Sequence, residues 1–167
     1  DGAAVGICMY DVDGRRSGEL VDPAGVRPPR PLPGMVTGWA PDGRWVVVEE
    51  NGPIELVDPI TRRGVLALRA HHDETIPMWV GRDRLASASR DGAVLLWDVA
   101  SGAGAGRLLG HTGEIVRIAV RGGRVLTASR DGTARIWRAD GSALVIAGGH
   151  ELVDAAWLDD GAVVVAD

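Results

Sequence analysis

A chain of 167 residues has room for a single domain core, and 46% hydrophobic with 25% charged residues is ordinary for a globular protein. A net charge of −5 with no basic cluster argues against nucleic acid or anionic lipid as a partner, and the longest apolar runs, such as ALVIA at 143–147, are strand-sized and far below a membrane-spanning helix. The single cysteine, Cys8, excludes an internal disulfide framework and a cysteine-based zinc site.

In chain order, AVGICMYDVDGRRSGELV within residues 1–21 reads as the second half of a four-stranded unit, with Tyr10-Asp11 where later units carry Trp-Asp. Its DVDGRRSG segment at 11–18 opens like a calcium loop but lacks the third acid and the distal Glu and holds two Arg, so a hairpin turn is expected. RPPRPLPG at 27–34 is the one Pro-rich run; an extended loop over a sheet edge explains it more simply than a polyproline recognition motif. Residues 22–64 hold a degraded unit, GWAPDGRWVVVEENGPIELVD, in which Trp39 stands opposite Trp79 and Asn51-Gly52 opposite Asp91-Gly92.

Two clear copies follow at 65–104 and 105–148. SASRDGAVLLWD, Ser87 to Asp98, returns as TASRDGTARIWR, Thr127 to Arg138. Trp97 and Trp137 lie 40 positions apart, as do His71 and His111, Asp91 and Asp131, and Gly92 and Gly132. Between these anchors the apolar positions align without a gap, placing Ile76, Met78 and Val80 on Val116, Ile118 and Val120. Alternation of this kind predicts strands. In the better copy they are expected at 115–120, 124–129, 133–137 and 143–147, joined by Asp-Gly turns and Gly-rich links. HELVDAAWLDDGAVVVAD, within 149–167, opens a further unit that the C-terminus cuts off.

A period near 40 with four strands per unit predicts an all-β propeller of about three complete blades plus a half-blade at each end. At these residues the chain resembles the WD-repeat (WD40) family: Gly110-His111, TASRDG and Ile136-Trp137 in one unit; His71, SASRDG and Trp97-Asp98 in the other. The resemblance implies a hydrogen-bonded tetrad in each blade, carried here by His71, Ser87, Asp91 and Trp97 and by His111, Thr127, Asp131 and Trp137. An indole N–H given to a hydroxyl that donates onward to an imidazole, itself oriented by a carboxylate, makes a satisfied buried chain. The degraded unit has Pro31, Val47, Asn51 and Val57 at these places and must rely on apolar packing; Arg138 replaces the Asp expected after Trp137.

His, Ser and Asp within a tetrad invite a hydrolase reading, but repetition argues against one active site. HHDE at 71–74 offers metal ligands only if His71 is released from its tetrad, so no metal or cofactor is expected. The resemblance further implies a charged rim that contacts partners, namely Arg90, Arg130 and Glu50 before the tetrad acid and Glu74 and Glu114 after the histidines. Paired between blades they add little stability but can set specificity. The expected function is a non-catalytic scaffold that binds protein partners through blade-edge loops. The alternative is a propeller enzyme with a polar or metal site around His72 and Asp73.

All 18 basic residues being Arg has no structural cause and points to a GC-rich bacterial coding sequence, while the lone Cys8 suits a reducing interior and so a cytoplasmic protein. Asp1 is not an initiator Met, so the chain is expected to be a piece of a longer propeller whose remaining blades complete the ring. Second choices are pairing with a second copy, or closure as four blades through Val163–Val165 on Val5–Tyr10. Left open, such an arc exposes an apolar face and a strand edge.

Overall fold

The computed structural model describes residues 5–10, 16–21, 30–32, 35–39, 45–48, 54–57, 64–68 and 75–167, with side chains from 54–56, 66–68 and 76–167. Among the described residues there are strands and turns and no helix, and so none long and apolar enough to cross a membrane. The chain divides into two compact units, Asp1–Ala70 and His71–Asp167.

The first unit holds β1 (Val5–Tyr10), β2 (Arg16–Val21) and β3 (Arg30–Leu32) in one antiparallel sheet, ordered β1-β2-β3. Arg30–Leu32 thus turns part of the Pro-rich run into an edge strand, with Pro31 opposite Glu19. An edge tolerates proline because the missing N–H is not needed by a further neighbour. The second sheet of this unit is a four-stranded meander of β4 (Met35–Trp39), β5 (Trp45–Val48), β6 (Ile54–Val57) and β7 (Gly64–Leu68). Ile54, Leu56 and Leu68 are buried in it.

The second unit repeats the meander. Its first sheet comprises β8 (Thr75–Trp79), β9 (Arg84–Ser89), β10 (Val94–Asp98) and β11 (Gly104–Leu108). The next is β12 (Ile115–Arg121), β13 (Arg124–Ser129), β14 (Thr133–Trp137) and β15 (Ala143–Ala147). A two-stranded sheet of β16 (Asp154–Trp157) and β17 (Val163–Ala166) ends the chain. Alternation sends successive side chains to opposite faces, and both faces of the middle sheet are covered. Ile115, Ile118, Val125 and Trp137 pack against Ala86, Ala88, Val94 and Leu108 of the sheet before it. On its other face Leu126, Ala128 and Ala134 meet Leu152 and Ala155 of the sheet after it.

The Asp-Gly turns close these sheets upon one another. In both turns the glycine N–H donates to the Ser carbonyl three residues back, Gly92 to Ser89 and Gly132 to Ser129, and φ is +81° and +80°. A Cβ at Gly92 would lie 3.1 Å from the carbonyl oxygens of His111 and Gly113, and one at Gly132 would lie 3.0 Å from that of His150. The turn therefore needs glycine twice, for its backbone conformation and because the next sheet's loop lies against it.

The gapless alignment of β8 with β12 is corrected by the register. Trp79 pairs with Leu85 and Met78 with Ala86, whereas Val120 pairs with Val125 and Ala119 with Leu126. Trp79 therefore matches Val120, and Met78 matches Ala119 rather than Ile118. A bulge between Ile115 and Arg117 adds one residue to β12, and its turn into β13 is one residue shorter than the turn from β8 into β9. Such a slip moves side chains to the opposite face: Met78 looks toward β12–β15, while Ile118 looks back toward β8–β11.

Candidate functional site

The loop before β12 supplies His111, β13 supplies Thr127, the β13–β14 turn supplies Asp131 and β14 supplies Trp137. The structure brings these four together. Trp137 Nε1 donates to Thr127 Oγ1 at 2.9 Å, and Thr127 Oγ1 lies 2.7 Å from His111 Nε2. His111 Nδ1 lies 2.9 Å from Asp131 Oδ2. One assignment of protons satisfies every member: the hydroxyl donates to Nε2 and the neutral imidazole donates from Nδ1 to the carboxylate. The imidazole meets the Trp137 ring edge-on, centroids 6.1 Å apart.

Burial sets the charges along this chain. Desolvation lowers the His111 pKa and outweighs the hydrogen bond and charge of Asp131, which act the other way. Asp131 behaves differently: burial alone would raise its pKa, but hydrogen bonds from the Thr133 hydroxyl, the Thr112 N–H, His111 and the Thr133 N–H hold it far below the ordinary carboxylate range. Those donors lie at 2.6 to 3.0 Å. The result is an anion beside a neutral histidine.

In the sheet before, Trp97 Nε1 donates to Ser87 Oγ at 2.8 Å, and Asp91 Oδ1 accepts the Ala93 N–H at 2.8 Å. Ser87 and Trp97 are buried in the same fashion as Thr127 and Trp137. His71, the expected fourth member, lies outside the described residues, as do His72, Asp73, Glu74 and Glu50.

Arg90, Arg130 and Glu114 converge on the rim beside the two Asp-Gly turns. Glu114 Oε1 receives Arg90 Nε at 3.1 Å and its Oε2 receives Arg130 Nε at 3.1 Å, so one carboxylate joins arginines from two successive sheets. Arg130 also reaches Glu151 at 3.7 Å. Spacing from the histidine did not find Glu151, since it follows His150 directly while Glu114 stands three residues after His111. The usable signal is the strand: the offset that sets Glu151 on Glu114 also sets buried Leu152 on buried Ile115. Arg90 and Glu114, with Ile76, Ile115 and Val116, line a half-open pocket of about 260 Å³.

Compared with known proteins, residues 60–98 and 105–138 each match the family model described as WD domain, G-beta repeat. The chain carries WD repeats over these two stretches. Its fold is a β-propeller of WD40 type, similar to the crystal structure of the C-terminal WD40 domain of Sif2 at a TM-score of 0.73 and 21% identity. That alignment covers 95% of this chain and 51% of the other, so the chain spans about half the length of the domain it matches. No curated protein matches it in sequence.

Among these WD-repeat residues two partners of the tetrad were not singled out by sequence. Thr133 donates to Asp131 through both its hydroxyl and its N–H, and the Asp-x-Thr spacing of an Asx-type turn is the signal for it. Arg135 is the other. It occupies the blade position that Leu95 fills in the preceding repeat, pairing with Thr127 as Leu95 pairs with Ser87, and nothing in the spacing distinguishes it from a solvated charge.

Proposed function

We propose that this WD-repeat chain is a non-catalytic scaffold that binds a protein partner through the rim carrying Arg90, Glu114, Arg130 and Glu151. The shared carboxylate of Glu114 carries the reading: it pairs with two arginines of successive blades, and one of them, Arg90, lines a half-open pocket with Glu114 itself. A rim with paired charge and such a pocket suits a partner side chain that inserts between blades, with the surrounding charges selecting orientation. The two tetrads serve the blades and not chemistry. Thr127 and Ser87, the tetrad hydroxyls among the described residues, are fully buried and already accept the N–H of Trp137 and of Trp97, so no substrate has access to them. His71 is assigned to the preceding tetrad with Ser87, Asp91 and Trp97.

Blade segments at 1–21, 22–64, 65–104, 105–148 and 149–167, a cytoplasmic location, and completion by further blades of a longer chain or by a second copy belong to the same proposal. The test is chemical cross-linking and mass spectrometry of the native full-length protein, comparing wild type with Arg90→Glu/Arg130→Glu. The expected result is loss of the captured partner with an unchanged melting temperature. Capture undiminished by the double reversal overturns the reading.

A further inference from the structure

A second surface, away from the rim, is built for a ligand of different shape. We infer that the outer edge of β15 receives an extended aliphatic–acidic peptide segment as an added strand, with Arg135 taking its carboxylate.

Three observations carry this. The first is the edge itself. β15 is the last strand of its sheet, so its second edge has no strand partner in that sheet. Its sequence, ALVIA, has no charge, and Leu144 and Val145 are 52% and 48% exposed. Outer strands in soluble proteins are ordinarily blunted by charge or by breakers; β11, the corresponding strand of the preceding blade, is GAGRL, with glycines and Arg107. The second observation is Arg135. Its Nε is buried without a hydrogen-bond partner, and among the described residues no carboxylate pairs with its guanidinium. The head group is held against Gly110, where it fills the space a Cβ would take, and it stands 5.8 Å from the Trp137 ring centroid. An unpaired, partly desolvated cation is costly where the neighbouring blade keeps a buried leucine. It becomes favourable once an anion arrives, because a guanidinium and a carboxylate form paired hydrogen bonds.

The third observation is how these elements lie together. Val145 is the cross-strand partner of Arg135, and Leu109, 65% exposed, precedes the Gly110 against which the guanidinium lies. Exposed aliphatic side chains therefore belong to both the strand and the loop that neighbour the cation. Alternating side chains on an added strand suit this arrangement, since main-chain hydrogen bonds supply affinity and every second residue faces the groove. The N-terminal sheet shows the same device within this chain, for the outer edge of β2 is taken by β3, a three-residue strand of a Pro-rich run. Repulsion decides the sign of the partner: a basic segment would face Arg135, whereas an acidic one completes it.

The experiment uses the full chain and two fluorescein-labelled pentapeptides, one alternating Val and Glu and one alternating Val and Lys, read by fluorescence anisotropy. The acidic peptide is expected to bind and the basic one to bind at least tenfold more weakly. Arg135→Leu, which restores the residue type of the preceding blade, is expected to weaken the acidic peptide at least tenfold. Val145→Glu, an exposed change cross-strand from Arg135, is expected to do the same by giving the guanidinium a carboxylate of its own chain and repelling that of the peptide. Arg90→Glu/Arg130→Glu should leave peptide affinity unchanged, so failure of the rim proposal and failure of this one are separately visible. Equal binding of the two peptides, or wild-type affinity in both edge variants, overturns the inference. A concentration-dependent dimer in light scattering that Val145→Glu abolishes overturns it too, in favour of a second copy on the edge.

Discussion

Replacing Thr127 by Val is nearly isosteric and removes one oxygen. That oxygen serves two buried groups, accepting from Trp137 Nε1 and donating to His111 Nε2. Thr127 is 0% exposed, so water cannot substitute. Each orphaned buried group costs roughly 1–3 kcal/mol, and burying a methyl in place of a hydroxyl returns part of this. The net loss is about 3 kcal/mol. With a urea dependence of about 2 kcal/mol per molar, the midpoint falls by about 1.5 M. Thr127→Ser keeps both hydrogen bonds and loses one buried methyl, so about 1 kcal/mol is expected. Thr112→Ala serves as control: only its backbone N–H enters the network, and its change should stay within about 0.5 kcal/mol. Urea unfolding followed by tryptophan fluorescence and far-ultraviolet circular dichroism measures all three. If Thr127→Val stays within about 0.5 kcal/mol of wild type, or Thr127→Ser costs as much as Thr127→Val, the hydrogen-bonded chain does not stabilise the blade.

The acid limb of stability follows from the same groups. The folded pKa of His111 lies below its ordinary 6.5, so the unfolded state binds the proton first and stability is lost as pH falls through that value. Asp131, depressed from 3.8, adds a further loss as pH falls below the carboxylate range, and Asp131→Asn should flatten this lower part of the pH–stability curve. Gly132→Ala should destabilise more than Gly161→Ala in thermal melts. Both have a positive φ, +80° and +88°, which costs about 1 kcal/mol for alanine. Only Gly132 has a carbonyl, that of His150, 3.0 Å from the added methyl. Glu114→Gln should change the melting free energy by less than about 1 kcal/mol, since its arginine partners are 59% and 56% exposed; a larger loss would show the rim to be structural.

Much of this architecture was legible because glycine, histidine and tryptophan each have one physical job at each turn of the repeat. Ser87 with Trp97 and Thr127 with Trp137 stand ten residues apart in both copies, and both pairs meet through a hydrogen bond. The register of β8 against β12 was hidden for a definite reason. The bulge lengthens β12 by one residue and the following turn is shorter by one, so the period of 40 survives while the side chains between exchange faces. Arg90, Arg130 and Glu114 were legible and Glu151 was missed, because Glu151 stands one residue after its histidine and Glu114 three. Arg135 had no signal at all: its neighbours Gly110 and Trp137 come from a loop and a strand that only the fold brings together.

The seating of each Asp-Gly corner upon the following loop has a further consequence. Because the Gly132 corner is fitted to His150, and the Gly92 corner to His111 and Gly113, cohesion passes along the series from neighbour to neighbour. Order in such an array is shared and contagious, so that loosening one member erodes the footing of the one before it. Proteolytic removal of the last two strands should therefore weaken the intact meander at 115–147 without touching any residue within it.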